Sequence, residues 1–141
     1  AAIAPSLFVW NYTTNFADYL IPHPNFGPLG EDLRFFAANR TIGVFEQGDA
    51  LNGPTGDFLS LRTWLIAKLL WNPSADQHAL TREFLNGYYG VAGPYLEKYL
   101  DLVAAGVDRK DAKIGCYNKN PWYLPDRAMK RATELFVIRG R

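Results

Sequence analysis

The sequence predicts a helix-rich α/β fold: a short parallel strand pair followed by a train of helices. Three observations carry that expectation. Two short apolar runs, LFVWNY and TIGVFE, have strand composition without alternation. A helical stretch separates them, giving strand–helix–strand order within about forty residues, the size of a βαβ unit. Beyond residue 58 the apolar spacing is helical, with helix start and stop signals between segments.

Residues 7–12 are rich in β-formers, and the missing alternation predicts a strand covered on both faces. Residues 13–30 contain three prolines and close on Gly30, which predicts a long loop with a helical turn near Phe16 to Leu20. Residues 30–39 predict a helix with Glu31 and Asp32 in its first turn. Leu33, Phe36 and Ala37 form its apolar face, and Asn39 suits a left-handed end. Residues 41–46 predict the second strand, and 47–57 a Gly-rich loop. In 58–71, Phe58, Leu61, Trp64, Leu65 and Leu69 recur at helical spacing. Leu59, Ile66 and Leu70 widen the stripe, so this helix is expected to be buried on most sides, with Trp64 and Trp71 in the core. Pro73 stops it, and Asp57 is its expected N-cap.

Ser74 and Gln77 read as a capping box for the next helix, whose face is Leu80, Phe84 and Tyr88 and whose end is Gly87 to Gly90. Pro94 opens another, with Tyr95, Tyr99, Leu102 and Val103 inward and Gly106 beyond its end. Residues 107–123 are irregular. Pro125 opens a last helix with Met129, Ala132, Leu135 and Phe136 on its face.

Two strands do not make a stable parallel sheet alone. Either the chain pairs with something else, or it is the terminal part of a larger α/β domain; a (β/α)8 (TIM) barrel would supply the missing strands, and the expected fold is then its C-terminal two strand–helix units followed by a helical extension. Residues 1–73 would be the terminal βαβα part and 74–141 the extension packed on it, as one structural unit. Such barrels carry their sites at the C-terminal ends of the strands. Here those ends are WNYTTN and FEQGD.

Composition narrows the function. The chain has 141 residues, 48% of them apolar, and a net charge of +1. Its one dense basic stretch is Lys130, Arg131, Arg139 and Arg141 near the end, which reads as helix C-terminal charge. That argues against nucleic acid or an anionic membrane as partner. One Cys and two His give no disulfide framework and no metal-ligand spacing, so neither metal nor cofactor is expected. There is no phosphate-binding glycine motif and no G-x-S-x-G elbow. No run spans a bilayer, and AAIAPSLFVW lacks the basic start of a signal peptide. Aromatics reach 15%, enough to fill a core and also to line a pocket for flat sugar faces.

The segments VWNYTTNFADYLIPHPN, LRFFAANRTIGVFEQGD, LRTWLIAKLLWNPSAD and FLNGYYG, in that order, resemble the C-terminal part of a bacterial family of glycoside-hydrolase-like barrels, a domain of unknown function. The arrangement is similar, more distantly, to the barrel end of α-glucuronidases, with LLWNP as the shared helix end. The resemblance covers roughly residues 7–105. It implies a carbohydrate-active domain whose partners are a glycan or oligosaccharide and the remainder of the barrel or another protein chain. Glycoside hydrolysis commonly uses two carboxylates flanking the bond. Glu46, at a strand end, and Asp49, in the loop behind it, are the expected catalytic pair. Trp10, Asn11, Tyr12, Asn15, His23, Asn25 and Gln47 are the expected substrate contacts, with Trp10 stacking on a sugar face. The expected activity is glycoside hydrolysis in the full-length protein, the isolated chain being inactive. The alternative is a non-catalytic helical module for binding or assembly. Convergence of Trp10 and Glu46 on one concave surface would favour the sugar reading.

Overall fold

A computed structural model describes residues 4–49, 56–109, 111–124 and 126–137. Strand β1 (Leu7–Tyr12) leads through a long loop to helix α1 (Phe26–Ala38). Strand β2 (Thr41–Gln47) follows and pairs parallel with β1. Four helices complete the described chain: α2 (Leu59–Trp71), α3 (Gln77–Tyr89), α4 (Gly93–Asp108) and α5 (Asp126–Phe136), with one 3-10 turn before α4. Pro125, Arg139 and Arg141 lie outside the described residues.

This corrects the expected fold. The described residues form one two-stranded parallel sheet beside five α-helices, which is not two strand–helix units of a (β/α)8 barrel. In such units each helix packs back on the strands. Here α1 does so, whereas the main partners of α2 are α1 and α3. Nor are both faces of the strands covered. Phe8 is 80% exposed, Trp10 65% and Phe45 55%, all on the face turned away from α1. An apolar run without alternation indicates only that both faces are apolar, and here one of them is open.

The helices hold the molecule together. Leu61, Leu65 and Leu85 are fully buried where α2 meets α3, with Phe26, Phe58 and Trp64 packed around them. A second cluster, Val103, Tyr123 and Leu124, seats the segment before α5 against α4. Gly106 lies inside α4, not beyond it, because that segment crosses so closely that a Cβ would press on the Tyr123 carbonyl. The Tyr123 hydroxyl donates to the Pro22 carbonyl, tying this end of the chain to the long loop.

Several local expectations change for identifiable reasons. Helix α1 starts at Phe26 rather than residue 30. Asn39 keeps a negative φ and donates its side-chain amide to Phe35 O, while Arg40 takes the left-handed conformation at φ 58°. Asp76, not Ser74, caps α3, accepting from the His78 and Ala79 amides. Gln77 instead reaches to α1, accepting from Gly30 N and donating to Phe26 O. Helix α2 buries one stripe, and Trp71 at its end is 91% exposed rather than in the core. In α3, Leu85 is the buried residue and Tyr88 faces out. In α4, Tyr95 is exposed, and in α5 the buried pair is Ala128 and Ala132, with Met129 and Phe136 exposed. None of the helices among the described residues is long and apolar enough to cross a membrane.

Leu65 is fully buried at the α2–α3 contact. Leu65→Ala is expected to lower unfolding stability by about 2–5 kcal/mol, read from the urea midpoint at unchanged slope.

Candidate functional site

Register decides where the predicted residues point. Trp10 pairs with Phe45, Asn11 with Glu46 and Tyr12 with Gln47. Successive strand residues face opposite sides. Trp10, Phe45 and Gln47 therefore share the open face, and Asn11 and Glu46 share the face that α1 covers; Tyr12, last in its strand, alternates to the open side and also borders the cavity beside Asn11. Trp10 and Glu46 do not converge on one surface.

On the open face the indole of Trp10 is fixed at two points. Its Nε1–H donates to Gln47 Oε1 at 2.7 Å, and its ring meets Phe45 edge-on at a centroid distance of 4.9 Å. Phe8 lies over Gly43, where a Cβ would overlap its ring. Phe8, Trp10 and Phe45 thus form an aromatic surface with an amide at its edge.

On the covered face Glu46 is half-buried. Its Oε2 accepts from Asn11 Nδ2 at 3.1 Å, and its Oε1 is buried with no partner. Burial raises the Glu46 carboxyl above its usual range; the Asn11 hydrogen bond opposes this, and Asp32 adds to it. Beside it lies a cavity of about 280 Å³ lined by Asn11, Tyr12, His23, Asn25, Asp32 and Cys116. His23 is 6% exposed and its Nδ1 has no partner. Burial first, and the Arg62 charge second, pull its pKa down to about 4. Its imidazole is therefore neutral at pH 7.

Arg62 is the residue the sequence reading missed. Its side chain is 2% exposed, and its donors reach Asn25 Oδ1 (3.2 Å), Asp57 O (2.5 Å) and His23 O (3.1 Å). A carboxylate oxygen of Asp57 lies 3.8 Å from the guanidinium and accepts the His23 backbone N–H at 3.0 Å. Asp57 is thus an anchor for the long loop, and its side chain does not cap α2. Burial raises the Asp57 carboxyl; His23 N–H and Arg62 oppose this, and nearby Asp49 adds to it. Asp49 sits against Gly56, its carboxylate oxygens buried and unpartnered. It belongs to the Arg62–Asp57 group rather than to Glu46. The signal for Arg62 was present: position 62 lies three residues before Leu65 and seven before Leu69, on the apolar stripe of α2.

Two other predicted contacts have their polar groups taken up internally. Asn15 is 1% exposed, donating to Asn118 O and accepting from Ala17 N. Asn25 donates to Thr13 O while accepting from Arg62. Among the described residues no three His, Cys, Asp or Glu side chains gather to hold a metal ion.

Fold and site together define a helix-rich domain whose two parallel strands separate an exposed aromatic face from a cavity with both polar and apolar walls. A family model described as "Domain of unknown function (DUF4838)" matches residues 1–101. The chain belongs to that family. No curated protein and no solved structure matches it.

The His23 value sets a pH dependence. Its folded pKa, about 4, lies below the ordinary 6.5, so the unfolded chain binds the extra proton between those values. This contribution is complete above pH 6.5 and is lost as pH falls toward 4, on the order of 3 kcal/mol in all. Proton NMR is expected to show the His23 ring titrating near 4, and His23→Gln to flatten the urea stability profile across that window.

Proposed function

We propose that the chain binds carbohydrate, with a sugar ring stacked on Trp10 at the open face of the sheet. One observation carries this: an indole that is 65% exposed yet held in a fixed orientation by Gln47 and Phe45. A pyranose has an apolar C–H face and a rim of hydroxyls. The rigid ring offers the flat apolar contact, and Tyr12 and Gln47 offer hydrogen bonds beside it. A fixed ring also loses little conformational freedom on binding. The ordered resemblance of residues 7–105 to glycoside-hydrolase-like proteins supports the same ligand class.

Hydrolysis is the stronger form of this proposal, with Glu46 as proton donor. Its raised carboxyl favours that role, since a general acid must hold its proton near neutral pH. Its position on the covered face favours it less, because a sugar on Trp10 lies across the sheet. Binding is therefore the form that the geometry supports further. The alternative, an assembly module, draws on Phe8, which is 80% exposed with its ring over Gly43. Exposed apolar strands also favour protein contact.

The full chain on a glycan array is expected to bind a subset of oligosaccharides. Trp10→Ala should weaken those interactions by about tenfold, the scale of one lost aromatic contact with its buried area. Loss on Glu46→Gln with Trp10→Ala unaffected would move the sugar to the covered face. No binding to any glycan, with self-association in sedimentation that Phe8→Ser abolishes, would replace the proposal with the assembly module.

A further inference from the structure

The cavity on the covered face of the sheet is far larger than one water needs, and it does not stand alone. Its volume is about 280 Å³, and a neighbouring cavity of about 120 Å³ shares His23, Asn25, Pro28 and Ile114 with it. An apolar cavity of about 150 Å³ admits benzene, so the larger one has room for a substituted ring. Apolar walls run through both: Leu29 and Ile114 line the larger cavity, and Val107 and Ala112 continue that lining into the smaller.

One polar group in these walls is buried and unused. His23 lines both cavities, is 6% exposed, and its Nδ1 is buried with no partner among the described residues. Its backbone is engaged on either side, the N–H donating to Asp57 and the carbonyl accepting from Arg62, so the residue is held in place without its ring. The amide of Asn25 is taken up in both directions, by Thr13 O and Arg62. Asn11 donates to Glu46 and accepts from the Tyr12 N–H. Tyr12 and Asp32 also line the larger cavity, but both are exposed residues that water can serve. A buried nitrogen without a partner costs free energy, which a ligand that brings the partner recovers.

Charge and shape select among ligands. The Arg62 guanidinium, 2% exposed, stands against the His23 carbonyl at 3.1 Å. Burial and that charge both disfavour a proton on the imidazole, and an ammonium placed on the same ring would meet the same two costs. A carboxylate would meet Asp32, the one charged side chain among the described residues of the lining, and an imidazole that carries no charge to balance it. A sugar, with hydroxyls all round, would press most of them on apolar wall. A single hydroxyl meets none of these costs. It donates to an imidazole nitrogen that lacks a proton and accepts from one that carries it, so it fits His23 in either tautomer.

We infer that this cavity is a binding site for a small neutral alcohol or phenol, with its hydroxyl on His23 Nδ1 and its apolar body against Leu29 and Ile114. The assignment uses neither Trp10 nor Gln47, so it stands apart from the carbohydrate reading.

The test titrates the full chain with 4-methylphenol and, separately, with toluene, benzylammonium and benzoate, following backbone amides and the His23 ring by NMR. The phenol is expected to give saturable shifts centred on Leu29, Ile114 and the His23 ring. It should bind about fivefold more tightly than toluene, the scale of one net hydrogen bond. Both ions should bind more weakly than the phenol. His23→Leu keeps the backbone anchors and the apolar walls, so it should abolish the preference for the phenol and leave toluene binding in place. Ile114→Trp, which fills the shared wall, should weaken both. Equal affinity for phenol and toluene in the wild type, a preference that survives in His23→Leu, or tighter binding of either ion would each overturn the assignment. So would binding undiminished in Ile114→Trp, or shifts centred on Phe45 at the open face. The absence of saturable shifts would overturn it as well, leaving water as the partner of His23 Nδ1.

Discussion

One buried guanidinium organises the part of this molecule that carries its polar chemistry. Arg62 stands in the first turns of α2, among leucines, and points its donors at three acceptors on the long loop, the start of α1 and the approach to α2. A charge removed from water is costly unless its donors are matched, and burial works against this one. The planar fork of arginine supplies several donors in fixed directions, which a lysine would not. The segment rich in proline, which has no regular secondary structure of its own, is thereby held in one conformation. Asn25 extends the effect by donating to Thr13 O, and Thr13 donates to Gln47 O at the end of the sheet. A continuous run of hydrogen bonds thus joins α2 to the strands.

The sheet depends on this arrangement because it has little else. Two parallel strands are below the size that is stable alone. α1 covers one side through Leu33 and its neighbours, and the turn beyond β1 is secured by Thr13, Thr14 and Asn15, all buried. Larger apolar contacts lie among the helices, where α2, α3 and α4 meet. The molecule therefore has a stable helical part and a strand pair attached to it by one helix and a polar network.

Local structure was largely legible in the sequence. Both strands and most helix bounds follow from β-former runs, prolines and apolar spacing, because those signals act within a few residues. What failed was long-range. Gln77 fits a capping box by spacing, yet its amide serves the backbone of α1. Trp71 fits an apolar stripe, yet at the end of α2 it is left exposed. The barrel expectation failed similarly: it assigned partners to the strands, whereas the chain turns its helices on one another. The site was half legible. Asn11, Tyr12, His23 and Asn25 do line one cavity, since loop and strand end lie close. Glu46 and Trp10 were expected together because both end strands, but pairing register and alternation assign their faces.

That alternation makes the strand pair a partition. A molecule resting on Trp10 is separated from the Glu46 carboxyl by the thickness of the backbone itself, and no side-chain rotation can bring the two together. Asn11 and Trp10 are adjacent in sequence and yet serve different chambers. The only motion that could exchange them is a slip of one strand by a single residue. In β1 such a slip would turn Trp10 inward and Asn11 outward, while Glu46, on β2, would keep its face. The arrangement of Thr13 on Gln47 at the end of the ladder opposes it. The short strands thus work as an insulating wall, and the latch at their end keeps its two sides distinct.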